Sequence, residues 1–226
     1  MSTIQQDFDR IALVSTDGAT CNDHYHNFLL RRLPAHCHHA LEIGCGSGSF
    51  ARRLAERSEH VTAIDLSPEM IRLAVAHSAG FSNIDFQLRD ICEQDLAAES
   101  FDCVASISTL HHLPYPEMLL KMKAALKPGG VLLVLDLFEP VRFPKPASVL
   151  DSVTNLLALP VSVSLRLIHH GRLLRPREER EAWNAHERND SYLTMSEARK
   201  LCDEILPGAQ VKKHLLWRYS IFWKKN

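Results

Sequence analysis

Glycines 44, 46 and 48 sit directly behind the short apolar run "ALEI" and ahead of "SFARRLAERS", in a chain with nine glycines in all. Glycine loses more backbone freedom on folding than any other residue, so three within five positions mark a tight turn or a close approach to bare backbone. A glycine turn between a strand and a helix brings backbone amides and a helix N-terminus near a ligand. The dinucleotide fingerprint is G-x-G-x-x-G, whereas here the spacing is G-x-G-x-G and Ser49 stands where the third glycine would be. Two carboxylates follow. Asp65 closes the next apolar run, 17 positions past Gly48, placed to accept hydrogen bonds from both hydroxyls of a ribose. Asp90 closes "IDFQLRD", where a carboxylate suits an exocyclic amine of adenine. His111 and His112 come after the following apolar run, and imidazole, with its pKa near neutrality, suits a general base.

These residues need a frame that brings them to one edge. Residues 22–33 read as an amphipathic helix stopped by Pro34, "HALEIGCG" as a strand running into the glycine turn, and "SFARRLAERS" as the helix behind it. "VTAIDL" is a second strand. "SPEMIRLAVAHSA" is a helix with Ser67 as N-cap and Pro68 at its first position. "IDFQLRD" and "FDCVASIS" are a third and a fourth strand, "PEMLLKMKAALKPGG" a helix ended by Pro and Gly, and "VLLVLDLF" a fifth strand, apolar on both faces. Strands alternating with helices and apolar on both faces predict a parallel sheet covered on both sides. In such sheets ligands bind beyond the carboxyl ends of the strands, where both aspartates fall. From about 140 to 190 the pattern turns helical, with scattered prolines. "TMSEARKLCDEIL" then reads as a helix capped by Thr194 or Ser196, and "AQVKKHLL" with "YSIFWKK", separated by "WR", as an antiparallel hairpin.

Composition narrows the partners. The 226 residues include 26 basic and 27 acidic side chains, a net charge of -1, which gives no global pull toward nucleic acid or an anionic membrane. No apolar stretch approaches membrane-spanning length, and the N-terminus lacks the layout of a secretory signal. Six cysteines without a C-x-x-C pair argue against a zinc site and a disulfide framework, and for a reducing cytoplasm. "HCHH" at 36–39 reads as solvated loop histidines, because adjacent residues before a core strand cannot all turn to one ion. No metal centre is expected.

"LEIGCGSGSF", "VTAIDLSPEMI", "LRDI", "FDCVASISTLHHL" and "LKPGGVLLVLD", in that order, resemble the successive motifs of class I S-adenosylmethionine-dependent methyltransferases, nearest their small-molecule branch. The resemblance covers residues 25–137 and implies a Rossmann-like, doubly wound α/β fold. Its sheet would have seven mostly parallel strands with the last antiparallel, and carry a helical insert. It implies S-adenosyl-L-methionine as cofactor. Glu42 and the backbone of Gly44, Cys45 and Gly46 would border the methionine moiety, and Asp65 would hold the ribose. Leu66 and Met70 would lie against the adenine ring, Asp90 and the Ile91 backbone would bind its edge, and the Ile107–Ser108 backbone would receive the methionine amino group. His111 is the candidate base, although "LHHL" recurs in methyltransferases of many specificities and also suits a loop-shaping role.

The chain therefore reads as one methyltransferase domain over 1–226: an N-terminal helical segment (1–39), a cofactor-binding core (40–137), a helical insert (138–190), and a closing helix and hairpin (191–226). The expected acceptor is a small molecule, not nucleic acid and not a membrane. There is no "NPPY"-like tetrapeptide of the kind that holds a flipped base or amide nitrogen. The insert is a candidate acceptor lid, and its apolar run "VLDSVTNLLALPVSVSLRLI" suits a hydrophobic or aromatic acceptor, a lid packed on the core, or a contact in a homodimer. Two other readings compete: an S-adenosylmethionine-binding partner protein without catalysis, and a nicotinamide-dependent oxidoreductase, against which Ser49 counts.

Overall fold

A computed structural model of the chain describes residues 3–15, 22–139, 176–187 and 190–226, with isolated positions between 160 and 167. β1 (His39–Ile43), β2 (His60–Asp65), β3 (Ile84–Leu88), β4 (Phe101–Ile107) and β5 (Leu126–Leu137) pair in parallel. β6 (Gln210–Lys213) and β7 (Arg218–Lys224) form an antiparallel pair, and β7 lies antiparallel against β5. The order is β3-β2-β1-β4-β5-β7-β6. The winding direction reverses between β1 and β4, the point where open α/β sheets leave a crevice for a ligand.

Alternation along the strands builds a core on each face. Leu41 and Ile43 of β1 join Leu132 and Val134 of β5 on one face, against α5 (Tyr115–Ala125) and α7 (Met195–Ile205). Ala40, Leu133 and Leu135 point to the other, against α2 (Asp23–Leu30) and α3 (Ser49–Ala55). A strand with two buried faces must be apolar at successive positions, which is why β5 reads as one apolar run. α1 (Thr3–Val14) stands apart from both faces. Its Ile11 and Ala12 pack on Met70 of α4 (Pro68–His77) and Ala182 of α6 (Arg177–His186), so α1 bridges the two helices near the sheet's ligand edge.

The capping signals hold in detail. Ser67 Oγ accepts from the Met70 N–H, and Thr194 forms a reciprocal capping box with Glu197. Three expectations need correction. The helix "PEMLLKMKAALKPGG" ends at Ala125, and "LKPGG" belongs to β5. Leu126 there pairs with Phe101 and the Gly129 N–H bonds Lys225, so partners on both sides draw the segment into the sheet. The hairpin turn takes four residues, 214–217, because Leu216 and Trp217 adopt φ of 60° and 56° and cannot continue a strand. His39 is not a solvated loop residue: it begins β1, half-buried, with Nε2 2.9 Å from Thr62 Oγ1. Most of the 138–190 insert lies outside the described residues. Of it, α6 is in view.

Candidate active site

The glycine turn connects β1 to α3, and its three glycines meet three different demands. At Gly44, where φ is +72°, a Cβ would fall 2.2 Å from Thr109 Oγ1. This glycine is needed so that the loop after β4 can close on the loop after β1. At Gly48 a Cβ would crowd the Phe86 ring at 3.0 Å. Only Gly46, with φ +51°, would direct a Cβ into open space. Of the three, Gly46 alone leaves the space beside its Cα open. Sequence spacing treats the three as equivalent; packing separates them.

Asp65, at the end of β2, is fastened to this turn. Its Oδ2 accepts the Gly46 N–H at 2.8 Å and its Oδ1 accepts the Ser67 N–H at 2.9 Å. Burial raises its pKa, and those backbone donors oppose the rise. Behind the turn lies Glu42, 1% exposed. One of its oxygens accepts from the Ala51 backbone in the first turn of α3, and Oε2 has no hydrogen-bond partner. Desolvation first, and the nearby Asp65 second, push the Glu42 carboxyl well above the usual carboxylate range. A buried carboxylate oxygen left unpaired is costly unless a ligand or water completes it.

The neighbouring strand ends complete the edge. Ser106 Oγ bonds the Ile43 carbonyl across β4 and β1. Ser108 holds φ 51°, a left-handed conformation serine seldom adopts. Its N–H reaches Leu135 O at 2.7 Å. The Ile107–Ser108 backbone thus lies beside the glycine turn, as the motif order implies. Asp90 falls two residues past the end of β3, and its Oδ1 accepts the Cys92 N–H. Ile91 is buried in the core and its carbonyl receives Lys121 Nζ at 3.0 Å. Leu66 is half-buried, whereas Met70 is covered by α1.

Beyond Thr109 a single 3-10 turn, Leu110–His112, carries both histidines. His111 is clamped by Asp136, a fully buried acid in β5: Nδ1 lies 2.6 Å from Oδ1, and the His111 N–H donates to Oδ2 at 3.0 Å. A carboxylate only accepts, so Nδ1 carries a proton, and in the neutral ring the lone pair is then at Nε2. The His112 side chain is likewise covered, and burial, then the imidazoles of His111 and His186, lower its pKa to about 3. A cavity of about 220 Å³ opens here, lined by Asp7 of α1, His111, His112, His186 and Asp190.

Comparison with known proteins fits this geometry. Residues 40–130 match the family described as "Methyltransferase domain". Residues 40–130 carry a methyltransferase-domain sequence. A ubiquinone biosynthesis O-methyltransferase of Xylella fastidiosa is 37% identical over 113 residues, covering 48% of this chain and 45% of the relative. One of Xanthomonas campestris pv. campestris is 39% identical over 102 residues, covering 43% and 42%. The chain thus spans less than half the length of these curated relatives. Among solved structures, the N-methyltransferase NodS of Bradyrhizobium japonicum with S-adenosylhomocysteine has a TM-score of 0.63 at 16% identity, covering 99% of both chains. The DhpI complex with S-adenosylhomocysteine also has 0.63, at 20% identity, covering 98% of this chain and 96% of that one. Such likeness shows the fold.

Two residues of the candidate site escape a reading of the motifs. Asp136 sits in "VLLVLDLF", where apolarity dominates; a lone acid in a strand buried on both faces is the signal that marks it. Asp190 follows α6 in a polar stretch that carries no pattern of its own.

Proposed function

We propose that the protein transfers a methyl group from S-adenosyl-L-methionine to a hydroxyl of a small-molecule acceptor. The observation that carries this reading is the His111–Asp136 pair, two residues along the chain from the Thr109 that closes on the glycine turn. The cofactor side fits the residues present: Gly46 faces open space, Asp65 stands beside it, and the unpaired Glu42 Oε2 suits a cationic group. When bound, the cofactor supplies an activated methyl group on a positively charged sulfur. Glu42 and the turn from Gly44 to Gly46 border its amino-acid part, Asp65 takes the ribose, and Leu66, Met70, Asp90 and Ile91 surround the base. Ile107 and Ser108 receive the amino group through their backbone. His111 takes the acceptor's proton at Nε2, and Asp136 stabilises the imidazolium that results. Positioning supplies much of the remaining acceleration.

The O-methyltransferase names of the relatives support hydroxyl as the acceptor class. No helix among the described residues is long and apolar enough to cross a membrane. The five described cysteines are unpaired, which favours a reducing compartment such as the cytoplasm. Thermal melting with S-adenosylhomocysteine or NAD tests the cofactor: a ligand of the folded state raises Tm by mass action. S-adenosylhomocysteine should raise it and NAD should not; the reverse pattern would return the chain to the oxidoreductases.

A further inference from the structure

Methyl transfer as described uses one imidazole, yet three crowd together here. The rings of His111 and His112 have centroids 3.8 Å apart, and those of His112 and His186 4.8 Å. The Asp190 carboxylate, only 5% exposed, lies between two of them. Its Oδ1 is 3.4 Å from His112 Nδ1 and its Oδ2 3.8 Å from His186 Nε2. Both distances exceed a good hydrogen bond.

We propose that His111, His112 and Asp190 bind a divalent first-row transition ion, with His186 lining the same cavity. One ligand atom from each of the three lies within 4.8 Å of the others. Around a tetrahedral ion with bonds of about 2.0–2.2 Å, neighbouring donors stand about 3.3–3.6 Å apart. The His112–Asp190 edge, at 3.4 Å, already has that length. The remaining edges, within 4.8 Å, would have to shorten as the side chains turn toward the ion.

The surroundings are those of a metal centre. A ligating histidine usually donates its other ring N–H to a carboxylate, which fixes the ring and its tautomer. His111 does so to Asp136 at 2.6 Å, leaving Nε2 for an ion. His186 Nδ1 faces Asp7 Oδ2 at 3.6 Å, and Asp190 Oδ2 accepts from the Tyr192 hydroxyl at 2.8 Å. Imidazoles with a single carboxylate suit zinc, cobalt or nickel; magnesium and calcium prefer all-oxygen sites. The donors come from the 3-10 turn and from the segment after α6, so an ion would fasten that segment to the loop carrying His111. It would also occupy the nitrogen that the base needs, making the loaded protein inactive; that consequence alone rests on the methyl-transfer reading.

The test needs neither cofactor nor acceptor. Metal-free full-length protein is titrated with Co2+, followed by its visible absorption, and Zn2+ is then used to displace it. One ion per chain is expected, with a rise in Tm that Mg2+ does not reproduce. Asp190→Asn and His112→Gln should each weaken binding about 10-fold or more. His38→Gln, in an exposed loop, should leave it unchanged. Since a variant can lose binding through misfolding, His112→Cys gives a positive readout: it should retain Co2+ and add a thiolate-to-cobalt charge-transfer band. No saturable binding to the native protein, equal affinity in Asp190→Asn and His112→Gln, or Co2+ bound by the cysteine variant without the new band would each overturn the site.

Discussion

Asp136 holds His111 from two sides, one oxygen 2.6 Å from Nδ1 and the other 3.0 Å from the backbone N–H of the same residue. Ring and backbone of the candidate base are therefore set by one buried side chain. The pair joins β5 to the loop after β4, so the sheet itself fixes the direction of Nε2. His111→Ala should lower kcat by about 100-fold or more if proton transfer is part of the rate-limiting step. S-adenosylhomocysteine affinity should change little, because the proposed role of the ring is toward the acceptor and not the cofactor. Asp136→Asn should fall between, with a lower Tm as well, since the acid also accepts the Leu137 N–H. Steady-state rates beside cofactor titrations separate these outcomes; a His111→Ala enzyme with full kcat removes the base from the mechanism.

Gly44 and Gly46 should respond differently to the same added methyl. Gly44→Ala forces a Cβ to within 2.2 Å of Thr109, so the loops must separate and the fold should lose several kcal/mol. Gly46→Ala meets nothing within 4 Å and carries only the left-handed backbone penalty, about 1–2 kcal/mol. Its methyl group instead enters the space assigned to the cofactor. Urea unfolding without ligand should rank Gly44→Ala as the more damaged variant, and S-adenosylhomocysteine affinity should fall sharply in Gly46→Ala despite its near-native fold. Unchanged affinity there would move the ligand away from this glycine.

The cofactor half of the fold was readable because local chemistry and global topology agree there. "LEIGCGSGSF" encodes a strand, a turn that demands positive φ, and a helix start; Ser67 and Pro68 encode the next helix. Long-range pairing was harder to read. "LKPGG" has helix-ending residues, yet Phe101 and Lys225, both distant in sequence, draw it into β5. The surroundings of the candidate base were hardest, because Asp7, Asp136 and His186 come from three separate elements, Asp190 from the segment after α6, and they share no motif. His112, sequence neighbour to the candidate base, meets two of them only through folding. The role of Gly44 also lay beyond the pattern, since the Thr109 that requires it is 65 residues away.

His26 should make stability fall in acid. It lies on α2 with its ring 4.9 Å from that of Phe50, and burial, partly opposed by Asp23, lowers its pKa from 6.5 to about 4. Above about pH 6.5 neither state holds the proton and the fold loses nothing. Between 6.5 and 4 the unfolded chain is protonated first, so stability drops as pH falls. One such group contributes a slope of at most about 1.4 kcal/mol per pH unit. His26→Gln should flatten the curve by up to that amount across this window, measured as urea unfolding at pH 7, 6 and 5. Other groups cancel in the difference between the two proteins. Parallel curves would mean that His26 titrates alike in both states, the cost of its burial cancelled by Asp23.

Glu42 should couple cofactor binding to a proton. Its Oε2 is buried without a partner, and desolvation, reinforced by Asp65, holds the carboxyl well above the usual range. Over the interval from the ordinary glutamate pKa up to that raised value, the free protein keeps a proton that an exposed glutamate would have lost. A ligand bringing an ammonium group close to this carboxyl favours the charged form. Binding must then release the proton, and by linkage the affinity for S-adenosylhomocysteine should rise with pH across the interval, by at most about tenfold per unit. Calorimetry in two buffers of different ionisation heat counts the protons released. Glu42→Gln, neutral at every pH, should show neither release nor pH dependence. The same substitution should make the ligand-free protein more stable at neutral pH, since a raised carboxyl loses its favourable term as pH climbs through its folded value. Wild-type binding with no proton release, or a glutamine variant with the same pH profile, would place the amino group away from Glu42 and leave its unpaired oxygen to an ordered water.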